Sequence, residues 1–225
     1  MAVVMAMLIN CSVSAQEYSR SKAAKYATEH ATNYNPSFPK FSSDCTNFVS
    51  QCVNAGGIPM KSLTSVSYSD LGDVVKTMDY WASEKWTVSK YILGIKYQEK
   101  TDFVTTSTWS VVSKNTADSF WGFYNYMSKN GASCKEYPVE TVTQLNTFIQ
   151  ACNVGDVLQV RKKTSVNKSH SVIVVEKSYD QRAKRWNMKI AYHTNDTEPV
   201  DFRTVSWRKF GTDRLWTKID VSSVS

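Results

Sequence analysis

Apolar positions recur at helical spacing through the N-terminal part of the chain and then give way to short continuous apolar runs. Ser19 to Asn33 carries Ala23, Tyr26 or Ala27, and His30 or Ala31 at that spacing, which predicts a helix. Pro36 and Pro39 force an extended segment after it. A second helix is predicted from Ser42 or Ser43, either able to cap it, with Cys45, Phe48, Val49, Cys52 and Val53 on one face. Gly56-Gly57 ends it, because glycine tolerates the left-handed cap position. Lys61 to Ser113 holds no steady period. Polar loops there alternate with Trp81, Trp86, a strand or helix near Val88 to Ile95, and Trp109, and the segment reads as an insertion shaping a substrate groove. Thr116 to Asn130 predicts an amphipathic helix with Ala117, Phe120, Trp121, Tyr124 and Met127 inward, stopped by Gly131. Val142 to Ala151 predicts a shorter helix.

The period then changes. Val157 to Val160, Ser171 to Glu176 and Met188 to His193 read as strands, and Val205 to Trp216 as a further strand pair broken at Gly211. Helices first and strands later point to an α+β fold.

Length and composition narrow the class. A chain of 225 residues with 42% hydrophobic and 21% charged positions is one globular domain, read here as residues 16–225. Met1 to Ile9 is an unbroken apolar run, and Val13-Ser14-Ala15 supplies the small residues that a signal peptidase reads. Residues 1–15 are therefore signal-peptide-like, and the chain is expected to be secreted or in the cell envelope. No Lys or Arg precedes the run, and an N-terminal strand or core helix is the rival reading. The run is too short to span a bilayer, so no integral membrane segment is expected. The net charge of +7 draws the protein toward anionic polymers. Its basic residues are scattered, as in Arg161-Lys162-Lys163, so the charge reads as a solvated surface and no nucleic-acid partner is expected.

The candidate chemistry rests on few residues. Among five cysteines no C-x-x-C pair occurs, which argues against a zinc site and leaves the metal assignment as none. Cys134 and Cys152 flank a helical segment and could pair in an oxidising compartment. Cys45 stands at a predicted first helical turn, where unpaired N–H groups and a partial positive charge favour a thiolate. Cys52, two turns further on, reads as a buried structural thiol. Of the three histidines, His30 falls in the first helix, His170 opens a strand and His193 closes the next. An antiparallel hairpin would set His170 and His193 side by side. His170 is then the base that takes the thiol proton, and His193 the residue that orients it. Asn195 is the rival orienting residue and Asp196 a weaker one.

The same residues carry a resemblance. Asn35 to Phe41, the run Asp44-Cys45-Thr46-Asn47-Phe48-Val49-Ser50-Gln51-Cys52, and Ala55-Gly56-Gly57-Ile58-Pro59-Met60 resemble the bacterial putative amidase domain, a relative of the NlpC-type and CHAP peptidases. Ser107 to Ser110, Val154-Gly155-Asp156-Val157-Leu158, His170 to Val174 and Tyr192-His193-Thr194 follow in the family's order. The resemblance implies a papain-like fold, with N-terminal helices packed on a C-terminal antiparallel sheet. It maps nucleophile and base onto Cys45 and His170, and the third polar residue of NlpC-type relatives onto His193. The family's aromatic pair after the double glycine is not clear here, and Lys61 to Thr106 departs from the pattern.

The expected function is cleavage of an amide bond, in peptidoglycan stem peptides or another peptide-containing wall polymer, without a cofactor. The Cys45 backbone N–H would help hold the oxyanion. Two rivals stand beside it: a catalytically silent wall-binding module, and a zinc hydrolase using Cys45, His170 and His193.

Overall fold

The computed structural model describes residues 17–67, 69–115, 120–193 and 197–224. The signal-like segment with Cys11, and the rival orienting residues Asn195 and Asp196, lie outside the described residues.

The first helix, α1 (Arg20–His30), starts where expected: Ser19 is its cap, accepting from the Lys22 backbone N–H. Its inner face is Ala23, Ala24 and Ala27, small side chains that let it sit close to its neighbour. The second, α2 (Cys45–Ala55), is buried on every side from Cys45 to Val53. Its cap position is held by Asp44 rather than by Ser42 or Ser43. Gly57, at φ 112°, turns the chain away at the far end.

The segment read as an insertion contains a helical turn, α3 (Leu71–Val74), a long hairpin of β1 (Ser83–Ile92) and β2 (Ile95–Thr105), and the short α4 (Ser107–Ser110). Two of its tryptophans are core residues. Trp81 and Trp109 are fully buried, and their indole N–H groups donate to Ser50 Oγ and Asn47 Oδ1 of α2 at 3.3 and 2.8 Å.

Among the described residues of the helix predicted from Thr116 to Asn130, α5 (Phe123–Lys129) is the helical part, after a small ladder of β3 (Lys114–Asn115) and β4 (Phe120–Trp121). Gly122 explains the delay. It adopts φ 112°, and a Cβ there would stand 2.8 Å from Ser113 Cα, so the chain bends sharply where a helix would have to run straight.

The remaining strands make one antiparallel sheet. They are β5 (Ser133–Pro138), β6 (Val157–Lys162), β7 (His170–Asp180), β8 (Arg185–Ala191), β9 (Val200–Asp201) and β10 (Arg214–Asp220), in the order β5-β10-β6-β7-β8-β9. Helix α6 (Val142–Ala151) starts at a capping box of Thr141 and Gln144. The strand pair expected over Val205 to Trp216 is instead α7 (Phe202–Arg208) followed by β10. Asp201 starts α7 by accepting from the Thr204 N–H, a cap that apolar periodicity does not reveal.

Helices cover both faces of the sheet. On one, Val157, Ile173, Ala191 and Ile219 pack with Ala23, Ala27, Phe48, Val49 and Cys52 of α1 and α2. On the other, Leu158, Val160, Val172, Val174, Ile190 and Trp216 meet Leu145, Phe148 and Ile149 of α6 and Phe202 of α7. Burial on both faces is why these strands read as continuous apolar runs rather than as alternating ones. The α+β expectation therefore agrees with the observed helices and antiparallel sheet.

A polar joint fixes α1 to the sheet. Tyr18 Oη donates to the Gly155 carbonyl at 2.8 Å. Arg20 reaches Asp156 Oδ1 and Asp220 Oδ1, each at 2.5 Å. Gly155 sits at φ 82° with the Arg20 backbone against it, so the Gly155-Asp156 pair is a docking element for the helix. Burial still raises the Asp156 carboxyl above its ordinary value despite that partner. No helix among the described residues is long and apolar enough to cross a membrane.

Candidate active site

Cys45 is the first residue of α2, and the amide groups of that first turn have no acceptor within the helix. Its side chain opens on a pocket of about 450 Å³. Ser42 to Thr46 line one wall, Ser110 to Ser113 another, and Lys168, Ser169 and His170 the third. The start of α2, the end of the segment read as an insertion and the start of β7 thus line one pocket. The tail of the segment read as an insertion contributes a wall, while its tryptophans do not.

The junction between α2 and the sheet is polar. Thr46 Oγ1 lies 3.0 Å from Ser171 Oγ, which accepts from Gln159 Nε2 at 2.9 Å. The Ser171 N–H, with the N–H and hydroxyl of Thr46, also turns toward the Cys45 sulfur. These groups favour a thiolate, as the helix-end argument anticipates. Burial outweighs them, and the thiol is raised above its ordinary value. The expected resting thiolate is corrected by this: with Cys45 only 7% exposed, losing solvent costs the anion more than the helix end returns.

His170 is 9% exposed and sits in an aromatic setting, with the Tyr192 and Phe210 rings each 5.2 Å from its own. Burial, and secondarily the charge of Lys209, lower it from 6.5 to about 4. It is therefore neutral near pH 7 and can accept a proton. Its Nε2 is buried without a hydrogen-bond partner among the described residues.

His193 does not reach His170. Its Nδ1 lies 2.6 Å from Asp44 Oδ2 and its Nε2 2.7 Å from the His30 carbonyl. Its ring is held between Phe48 at 3.9 Å and Tyr34 at 4.1 Å. The expected orienting bond from His193 to His170 is accordingly corrected. The hairpin itself forms, but β7 pairs Ile173 with Ala191. Side chains alternate, so His170 shares the face of Val172 and Tyr192, while His193 falls toward α2 with Ala191.

Asp44 is the residue that the sequence under-read. Its carboxylate accepts from the Phe41 N–H and Asn47 Nδ2, both at 2.9 Å, besides facing His193. It occupies the cap position of α2, but its side chain makes no capping hydrogen bond to the helix backbone. Instead it ties the start of α2, α1 and the end of β8 together one residue before the thiol. Its place beside Cys45 was the available signal. Lys168 was also missed. It is buried with its Nζ 3.2 Å from Glu136 Oε1 and 2.6 Å from Thr217 Oγ1. Burial lowers Lys168, while Arg161 and Lys168 hold Glu136 down to about 2.

Cys52, Cys134 and Cys152 are free thiols. Cys134 packs against the core on the α1/α2 face and Cys152 lies in the core on the α6/α7 face, so the sheet separates the pair once considered for a disulfide. Cys52 is fully buried, as expected. The zinc reading loses its ligand set, because His193 stands with Asp44 and not with His170. No group of three or more His, Cys, Asp or Glu able to hold a metal occurs among the described residues.

Comparison with known proteins adds a family. A stretch of 45 residues is 47% identical to the uncharacterized protein YhbB of Bacillus subtilis, covering 20% of this chain and 14% of that protein. No solved structure matches. The family described as putative amidase domain matches residues 17–216, which takes in every described element up to the middle of β10. The class of reaction that such a family assigns is amide-bond hydrolysis, and the chain belongs to the putative amidase domain family.

Proposed function

We propose that the chain is a cysteine hydrolase of papain-like architecture that cleaves amide bonds in peptidoglycan peptides. The observation that carries this reading is the single pocket lined by Cys45, at a helix N-terminus, and His170, at the start of the central strand β7. The family assignment supports the amide as the scissile group. The net charge of +7 suits an anionic wall polymer, and such a substrate entails export, which the apolar run ahead of Val13-Ser14-Ala15 would direct.

The resting pair is a neutral thiol and a neutral imidazole, because burial disfavours both charged forms. Attack is then coupled to proton transfer. No hydrogen bond joins Cys45 and His170 among the described residues at rest, so the two side chains close on each other as substrate binds, and the sulfur then bonds to the amide carbon as its proton passes to His170. The oxygen of the tetrahedral intermediate takes the negative charge, and the Cys45 backbone N–H donates to it. An imidazolium destabilised by burial is a willing acid, so His170 returns the proton to the departing amine. A thioester remains. Water, losing its proton to His170, attacks that thioester and releases acid and thiol. Asp44 and His193 act behind this pair by fixing the start of α2.

Incubation with purified peptidoglycan, followed by mass spectrometry of the soluble fragments, tests the reading. Wild type should release fragments ending in new amines and carboxylates, and Cys45→Ala should release none. Equal release by both proteins rejects Cys45 as nucleophile. The raised thiol also fits the second reading, a silent wall-binding module. Retention of both proteins on peptidoglycan with no fragments from either selects that module.

A further inference from the structure

β1 and β2 form a ribbon paired from Ser83–Thr105 to Ile92–Ile95, closed by Leu93 and Gly94. Its outer end carries Tyr91, Ile92, Leu93, Ile95 and Tyr97, each more than half exposed and Leu93 97% exposed. A strand that docks on another protein shows apolar side chains at alternate positions, on one face. Here Tyr91, Ile92 and Leu93 are consecutive, so both faces of the ribbon and its turn are apolar together. Lower down the exposed positions revert to Thr87, Glu99 and Thr101, while Trp86, Val88, Phe103 and Val104 are only half-buried, so the most exposed apolar side chains lie at the tip.

The apex residue is the most informative. Leu93 and Gly94 both have positive φ, 48° and 79°. A two-residue turn of that kind favours Asn or Asp before Gly, because a bulky side chain is disfavoured at positive φ. Leu93 is thus costly both in backbone conformation and in hydration, at the point of the molecule farthest along the ribbon. A convex end that is apolar in every direction matches a surrounding apolar medium better than a one-sided partner surface. Lys90 and Lys96 flank it with no acidic residue between them; Lys96 also pairs with Glu99 at 2.5 Å, an exposed ion pair that headgroup phosphates compete with. Tyrosines bracket the aliphatic residues, as side chains do where an apolar layer meets water. The ribbon has only two strands and a register shift that leaves Tyr97 unpaired, so its outer backbone groups still need water, which keeps the tip in the hydrated headgroup layer.

We propose that the hairpin tip, Tyr91 to Tyr97, inserts into the interfacial layer of an anionic lipid bilayer, with Lys90 and Lys96 against the headgroups. The attachment is shallow and reversible. It is independent of the hydrolase reading.

The test uses the full chain and vesicles of equal parts phosphatidylglycerol and phosphatidylcholine, against phosphatidylcholine alone. Sedimentation should show at least about tenfold stronger binding to the anionic vesicles, weakened by added salt. The triple variant Ile92→Ser, Leu93→Asn, Ile95→Ser should bind at least about tenfold more weakly, with unchanged circular dichroism and thermal midpoint. In a Leu93→Trp variant, the difference emission spectrum against wild type should shift to the blue on adding anionic vesicles and stay fixed with phosphatidylcholine. Equal binding by wild type and triple variant overturns the proposal, as does an unshifted Leu93→Trp difference spectrum. A dimer in sedimentation velocity that the triple variant dissolves, without vesicle binding, assigns the tip to a second copy instead.

Discussion

Acidification should cost this protein stability through His170. The unfolded chain takes up a proton there near 6.5, whereas the folded ring resists until about 4, because burial and then Lys209 disfavour the imidazolium. Between those values the unfolded state binds more protons, so stability falls as the pH falls. Above 6.5 the penalty is absent, and below about 4 it is complete. At about 1.4 kcal/mol per pH unit, the gap corresponds to about 3 kcal/mol. Urea unfolding followed by tryptophan emission, from about pH 7.5 to about pH 4, measures it. Carboxylates titrate over the same range, so the informative quantity is the difference between wild type and His170→Gln, in which their contributions cancel. The difference should move by about 3 kcal/mol in favour of the variant as the pH is lowered. A merely structural effect of the substitution would offset the two curves without changing their separation. A separation constant to within about 0.5 kcal/mol would refute the buried neutral imidazole, and with it the proton-acceptor role assigned to His170.

Two further perturbations probe how the site is held. Asp44→Asn should destabilise by about 1 to 3 kcal/mol, because it weakens the buried contact with His193 and the bonds accepted from the Phe41 N–H and Asn47 Nδ2. Denaturant titration reads this directly, and a loss below about 1 kcal/mol would show that Asp44 does not anchor α2. Arg20→Leu leaves Asp156 buried without its nearest cation and should cost about 3 kcal/mol at neutral pH. Burial already raises the Asp156 carboxyl, and losing Arg20 raises it further, so protonation relieves the variant first and its deficit should narrow on acidification. A deficit that widens on acidification contradicts that assignment.

The sequence alone determined the pieces whose signal is local. Period and caps located α1, α2 and α6, and continuous apolar runs located β6, β7 and β8, because each pattern is set by neighbours within a turn or a strand. They also put Cys45 at a helix start and His170 at a strand start, the two placements on which the proposed chemistry depends. Other elements needed more than periodicity: α5 is cut short by the backbone at Gly122, and α7 starts at the Asp201 cap inside a span whose apolar residues suit a strand equally well. Only the tertiary structure decided what depends on parity, layering and solvent. The register of β7 against β8 sent His170 and His193 to opposite faces, since one residue of offset inverts a strand's side chains. The sheet came between Cys134 and Cys152 because each sits in a different core. The resting thiol, not thiolate, at Cys45 reflects water removed by tertiary packing, a cost that no stretch of sequence around the residue contains.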